Sequence, residues 1–268
     1  MSNYPFVRLT VEAHFQRLYA NAIIVSWVLD RGFAQRAPGP YRFTLRRHQT
    51  ATDDKPVDVA KAIDVYSLED RSPRQGQYEE ALSYSVVLTD GDGKTYTSQV
   101  QPVGSYWSHQ DWLVAREIIR KEAMLLRKKA GTKGILLKRR QWGDACTACT
   151  DVTTGQVRDP QCGTCFGTGI EGGYYPGQEC WVLMNQTKRA QRLTADQGLV
   201  TANDETVRAL AYPVLEVNDI WVHRPTNNRY RIMEDIAAIV RWRGVDLVMN
   251  ARLDLLPSSS SVYNFHVT

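Results

Sequence analysis

The sequence predicts a mainly β, multidomain chain: an N-terminal β-sandwich, one long basic helix, a four-cysteine lobe and a C-terminal small β-barrel. Three observations carry this reading. Short alternating apolar runs fill both ends of the chain, a single stretch free of Gly and Pro lies between them, and four cysteines form two close pairs. The pieces divide at 1–104, 105–140, 141–180 and 181–268.

In the N-terminal piece, Phe6 to Val11 alternates and Ala22 to Leu29 is rich in β-branched residues. Tyr41-Arg-Phe-Thr-Leu-Arg46 alternates cleanly, placing Tyr41, Phe43 and Leu45 on one face. Further runs follow at Ala62 to Tyr66, Leu82 to Leu88 and Tyr96 to Val100, with a Gly-rich turn at Thr89 to Lys94. Strands at this spacing suggest a β-sandwich.

Ser108 reads as a helix N-cap with Asp111 three residues on, and the helix runs to Ala130 with Gly131 as its stop. Trp112, Ala115, Ile119 and Leu126 share its apolar stripe, flanked by Ile118 and Leu125. The net charge of +4 is mild, so the distribution of charge is more informative than its total. From Arg116 to Arg140 ten basic residues (Arg116, Arg120, Lys121, Arg127, Lys128, Lys129, Lys133, Lys138, Arg139, Arg140) face only Glu117 and Glu122. They read as a solvated face, or as a contact surface for a negative partner, either DNA or an acidic subunit.

The pairs Cys146-Thr-Ala-Cys149 and Cys162-Gly-Thr-Cys165 are separated by twelve residues. Tetrahedral zinc needs four soft ligands converging on one point, and each C-x₂-C turn presents two of them, so all four are candidate metal ligands. Two disulfides or four unpaired thiols are the alternatives. After Cys165 the run Phe-Gly-Thr-Gly169 supplies glycines where a metal knuckle turns its N–H groups toward sulfur. Cys162 to Gly169 resembles the zinc knuckles of J-domain co-chaperones; the first pair lacks those glycines. Four thiolates leave no open coordination position, so the zinc reads as structural, holding a lobe of ~35–40 residues too small to fold on its own core. Cys180 reads as a small buried residue.

The C-terminal piece is a series of short hairpins, which suggests a small barrel. Asp219 to His223 pairs across a Pro- and Asn-bearing tip with Tyr230 to Glu234, and Ile236 to Trp242 pairs across Arg243-Gly-Val with Leu247 to Leu253. Val262 to Phe265 reads as a spare strand for a neighbouring chain.

No phosphate loop, nucleophile elbow or H-E-x-x-H is present, the five histidines are scattered, and Asp53-Asp54, Glu69-Asp70 and Glu79-Glu80 are adjacent pairs whose side chains would diverge in a strand. The expectation is a protein that is not an enzyme. The N-terminus lacks the charged and apolar regions of a secretory signal, which favours a reducing compartment and metal over disulfides.

Two resemblances add to this. Val25-Ser-Trp27, Pro38-Gly-Pro40 and Tyr41 to Arg46 are similar to the second and third strands of fibronectin type III domains. Val217 to Val222, Asn227-Asn-Arg-Tyr-Arg-Ile232, Gly244 to Val248 and Ala251 to Leu255, preceded by a basic helix, Leu136 to Gly143 and a cysteine lobe ending Gly172-Gly-Tyr-Tyr175, resemble the neck or head-closure proteins of tailed bacteriophages. That likeness covers 107–268. It implies a homo-oligomeric ring in the virion, assembled in the host cytoplasm, between portal or adaptor and tail proteins, with DNA in its channel and no membrane. A baseplate protein, a zinc-ribbon nucleic-acid-binding protein and a fibronectin-like adhesion module are the alternatives. Between Asp151 and Gln161 only Arg158 is basic, which weighs against the ribbon.

Overall fold

β-Structure dominates both ends of the chain, as the alternating runs predict. The computed structural model describes residues 5–17, 20–34, 37–49, 55–71, 82–103, 109–151, 154, 156–185, 193–195, 198–200, 204–234 and 236–267. The chain divides into two units, one comprising 1–117, 140–173 and 242–245, the other 118–139, 174–241 and 246–268. Ser108, Asp53, Asp54, Glu79, Glu80 and the side chain of Trp112 lie outside the described residues.

The first unit holds β1 (Phe6–Arg17), β2 (Ala20–Leu29), the short helix α1 (Arg31–Ala34), β3 (Arg42–His48), β4 (Val57–Ile63), β5 (Ser67–Asp70), β6 (Ser83–Thr89), β7 (Thr95–Thr97) and β8 (Gln101–Pro102). They form two antiparallel sheets, β1-β2-β5 and β4-β3-β6-β7, with β8 also on β6. Period-two burial places Ile23, Val25, Trp27 and Leu29 of β2, and Phe43 and Leu45 of β3, in the core. The sheets meet where the Trp27 ring lies 4.7 Å from that of Phe43. At the predicted Gly-rich turn, the Asp90 carboxylate accepts the backbone N–H groups of Asp92 (3.1 Å) and Lys94 (2.8 Å), closing the β6–β7 hairpin.

The long helix α2 (His109–Met124) buries Ala115, Ile119 and Ala123 at helical spacing. It ends earlier than the sequence predicts. Leu125–Lys129 forms a π-helical turn in which the N–H of Ala130 donates to the carbonyl of Leu125. The wider turn sinks Leu126 into the core and leaves Arg127, Lys128 and Lys129 exposed. Gly131 then passes so close that a Cβ there would lie 2.2 Å from the Leu126 carbonyl oxygen. Among the described residues, no helix is long and apolar enough to cross a membrane.

The second unit is built from β9 (Thr132–Leu137), β10 (Gln178–Asn185), β11 (Leu193–Ala195), β12 (Gly198–Val200), β13 (Asp204–Leu210), β14 (Ile220–His223), β15 (Arg229–Ile232), β16 (Ala237–Trp242) and β17 (Val245–Leu255). The order β13-β10-β9-β14-β15-β17, with β17 pairing back onto β13, closes a six-stranded antiparallel barrel. The strand β16 pairs with β17 outside this ring, and β11 and β12 form a separate hairpin. Leu136, Val182, Val207, Trp221, Ile232 and Leu253 fill the barrel core. Gly134 of β9 makes room for the largest of them: a Cβ there would lie 2.3 Å from the Trp221 indole.

One local expectation changes. Val262 to Phe265 is not a spare strand, because Ser261–Asn264 forms a 3₁₀ turn with Val262 buried. The Arg229 guanidinium holds it, donating to the carbonyls of Val262 and Phe265 (2.9 Å) and lying 5.3 Å from the Tyr263 ring. Cys180 is buried in the barrel core as expected. Its carbonyl accepts the Trp221 indole N–H at 3.2 Å, and burial pushes its thiol up to about 12.

Candidate metal centre

The cysteine lobe is an excursion between β9 and β10, two neighbouring barrel strands. Its base is a short antiparallel stem. Arg140 N–H donates to Gly173 O (3.0 Å), Glu171 N–H to Asp144 O (2.9 Å) and Cys146 N–H to Gly169 O (3.0 Å), with Ala145 bridged to Ile170. Beyond the stem, Thr150 and Val157 form a second bridge, and Arg158 N–H donates to the Cys149 carbonyl.

All four predicted ligands converge. The sulfurs of Cys146, Cys149, Cys162 and Cys165 lie within 4.8 Å of one another and every residue of the four is buried. Cys146 and Cys162 Sγ are 3.8 Å apart, Cys149 and Cys165 Sγ 3.2 Å. Both separations far exceed the ~2.05 Å of a disulfide, so the disulfide alternative fails. A metal–sulfur distance of about 2.3 Å in a tetrahedron requires sulfurs ~3.8 Å apart, and the cluster matches that scale. The donor set suits one thiophilic ion.

The knuckles differ in how they treat sulfur. The N–H groups of Cys165 and Thr164 point at Cys162 Sγ and pull its pKa down to about 6. At Cys165 burial dominates and raises the pKa, against the N–H groups of Gly169 and Gly167, which stabilise its thiolate. Gly167 and Gly169 both take φ +78. A Cβ at Gly167 would also meet the Pro160 carbonyl at 2.6 Å. The residue directly after the ligand is Phe166, at φ +53, so the left-handed step begins one residue before the first glycine. Burial, reinforced by the neighbouring sulfurs, pushes the Cys149 thiol upward. Two of the four sites are thus built to hold thiolate by backbone amides, the outer-shell arrangement that tunes metal ligands.

The ten basic residues differ in exposure and in partners. Arg116 and Arg120 are half-buried on α2, while Lys121, Arg127, Lys128 and Lys129 are exposed. Lys133 pairs with Glu179 at 2.7 Å. Lys138 is only 3% exposed; its ammonium donates to Asp219 (2.7 Å), Glu216 (2.9 Å) and the Val214 carbonyl (3.2 Å), which removes it from any external contact. Arg139 N–H donates to the other Asp219 oxygen, and Arg140 N–H belongs to the lobe stem.

Two residues lie within stretches the sequence singles out, but nothing in the sequence signals their roles. Asp219, hidden in a hairpin pattern, is a buried hub that also accepts the Glu216 N–H. Trp142 is 2% exposed, with its ring 5.5 Å from that of Tyr41 and 5.6 Å from that of Phe43. A scan of protein-family models finds no match, and no curated protein or solved structure matches the chain.

Proposed function

We propose that the chain is a structural subunit of a tailed-bacteriophage virion, forming a homo-oligomeric ring at the neck that joins portal or adaptor to tail around the DNA channel. One observation supports this above others. Of the stretches that carry the resemblance, the parts Ile220 to Val222, Arg229 to Ile232, Val245 to Val248 and Ala251 to Leu255 fall on β14, β15 and β17 of a single closed barrel. A closed barrel pairs its own edges, leaving loops and outer faces for subunit contacts, and a ring needs heterologous contacts that close.

In this reading the metal is structural Zn²⁺, held by Cys146, Cys149, Cys162 and Cys165, and it stiffens a small knob that meets a neighbour. The N-terminal sheets form a fibronectin type III-like sandwich that decorates the outside, and no catalytic step is involved. The exposed Arg127, Lys128 and Lys129 remain candidates for a negative partner. The zinc-ribbon alternative is weakened because Arg158 is the single basic residue between Asp151 and Gln161.

Native mass spectrometry and electron microscopy of the purified protein, and of particles from its host, test the assignment. Closed rings and a position at the head–tail junction are expected. A strict monomer never found in a particle overturns it.

A further inference from the structure

The lobe and the N-terminal strands, separate pieces in the sequence, share an aromatic core. Six rings run through it. Trp27 of β2 contacts Phe43 of β3, Phe43 and Tyr41 both contact Trp142, Tyr41 lies 6.3 Å from Phe33 of α1, and Phe33 packs edge-on against Tyr96 of β7 at 4.9 Å. Five of these rings come from the N-terminal segment. The sixth comes from the cysteine lobe, four residues before Cys146.

We propose that metal loading of the four-cysteine site closes the core of the N-terminal β-region, with Trp142 as the mechanical link. The inference rests on the metal reading of the site and is independent of the virion assignment.

The link has three parts. The first is the metal's hold on the lobe. Among the described residues, the apolar side chain packed around the four cysteines is Val157, so the hydrophobic burial they show at this end is small and the ion supplies the convergence. The second part is the stem. The bonds from Cys146 N–H to Gly169 O and from Glu171 N–H to Asp144 O lie between the sulfurs and Trp142. They fix the backbone on the ligand side of the tryptophan, while Arg140 N–H to Gly173 O fixes it on the other. Gly143, at φ +135 and with its Cβ position 3.0 Å from an Ile170 methyl, lets the chain turn between ring and stem.

The third part is the socket. Trp142 presents its ring to Tyr41 and Phe43 at interplanar angles of 66° and 62°, the edge-to-face arrangement that aromatic pairs favour. Tyr41 is itself anchored, its backbone N–H donating to Asp64 (3.1 Å) and its hydroxyl to the Ala37 carbonyl (2.8 Å). Its hydroxyl pKa is raised to about 12, chiefly by burial and then by the nearby Asp144 carboxylate, which places the stem's own charge beside this ring. Losing the metal frees the stem, and the ordering entropy of Trp142 must then be met without the stem's constraint. The socket loosens with it.

Hydrogen exchange of the full chain, zinc-loaded and after chelation under reducing conditions, tests this, with bound zinc measured on the same samples. Chelation is expected to speed exchange about tenfold or more in β3 and β6 while barrel strands β14 and β15 stay unchanged. Trp142→Ala should keep its zinc yet lose the response of β3 and β6 to chelation, and Trp142→Phe, which retains a ring, should keep most of it. Failure to bind zinc overturns the metal reading and with it the link. Stoichiometric zinc whose removal leaves β3 and β6 protected overturns the link alone. Zinc-dependent protection that persists in Trp142→Ala also overturns it, because the signal would then travel by another route.

Discussion

The barrel and the cysteine lobe both gather side chains from distant parts of the sequence, but with different materials. The barrel closes over aliphatic and aromatic groups from six strands, and each strand is hydrogen-bonded on both sides. The lobe converges on four sulfurs, stabilised by backbone amides at Cys162 and Cys165, with Val157 as the packed apolar neighbour among the described residues. Burying apolar area is a distributed effect, with each methylene contributing a little, so the barrel tolerates local damage. In the proposed metal-bound lobe, four bonds to one ion would be concentrated, so damage to any one ligand would be felt by the whole lobe.

The largest test of that contrast is Cys162→Ser. It removes a ligand and the sulfur best prepared as a thiolate, so the lobe should lose its metal and its fold, at a cost on the order of 10 kcal/mol. Metal content should fall to background, while barrel amide protection and the Trp221 environment stay as in the parent protein. Barrel unfolding together with the lobe would show that the two do not stabilise themselves separately.

The barrel has one concentrated interaction of its own, and it provides the next test. Lys138 and Asp219 are both buried, with Asp219 1% exposed. Replacing one partner of a buried pair leaves an uncompensated charge, so Lys138→Met should cost about 3–5 kcal/mol in chemical denaturation. The pH dependence gives the sign. Burial raises the Asp219 pKa to about 6, with Lys138 opposing the rise. A carboxyl whose folded pKa lies above its unfolded value takes up its proton first in the folded state. Its contribution is therefore present below the unfolded pKa and lost as pH rises through the folded one. Without Lys138 the opposing effect disappears and the folded pKa climbs further. The variant's deficit should accordingly be largest at neutral pH and shrink as pH falls toward 4. A deficit independent of pH would mean that Asp219 is not the buried charge responsible.

The same contrast explains what was legible in the sequence. The four cysteines announced themselves because ligand spacing is a local property, and the barrel hairpins did so because alternation and turn residues are local too. The π-helical turn was not visible, since Leu125 to Lys129 are ordinary helix formers and Gly131, which passes close to the Leu126 carbonyl, reads in the sequence only as a helix stop. Lys138 looked like one more cation in a basic run because its partner lies 81 positions away. Trp142 looked like an isolated aromatic for the same reason. Val262 to Phe265 has a strand's composition, but Arg229 supplies donors that satisfy its carbonyls in a 3₁₀ turn.

The smallest test probes the distributed side. Gly134 sits under the Trp221 indole, and a methyl group there would overlap three ring atoms at 2.3–2.5 Å. In a core held by many weak contacts, such an overlap is relieved by shifting several neighbours slightly, so Gly134→Ala should cost roughly 1–3 kcal/mol without unfolding the barrel. The indole must tilt or slide, which stretches its N–H bond to the Cys180 carbonyl. A shifted tryptophan emission with a modest loss of denaturation midpoint is the expected result. Collapse of the whole barrel from one added methyl would mean that Trp221 acts as a single keystone, and that the barrel is as concentrated in its stability as the lobe.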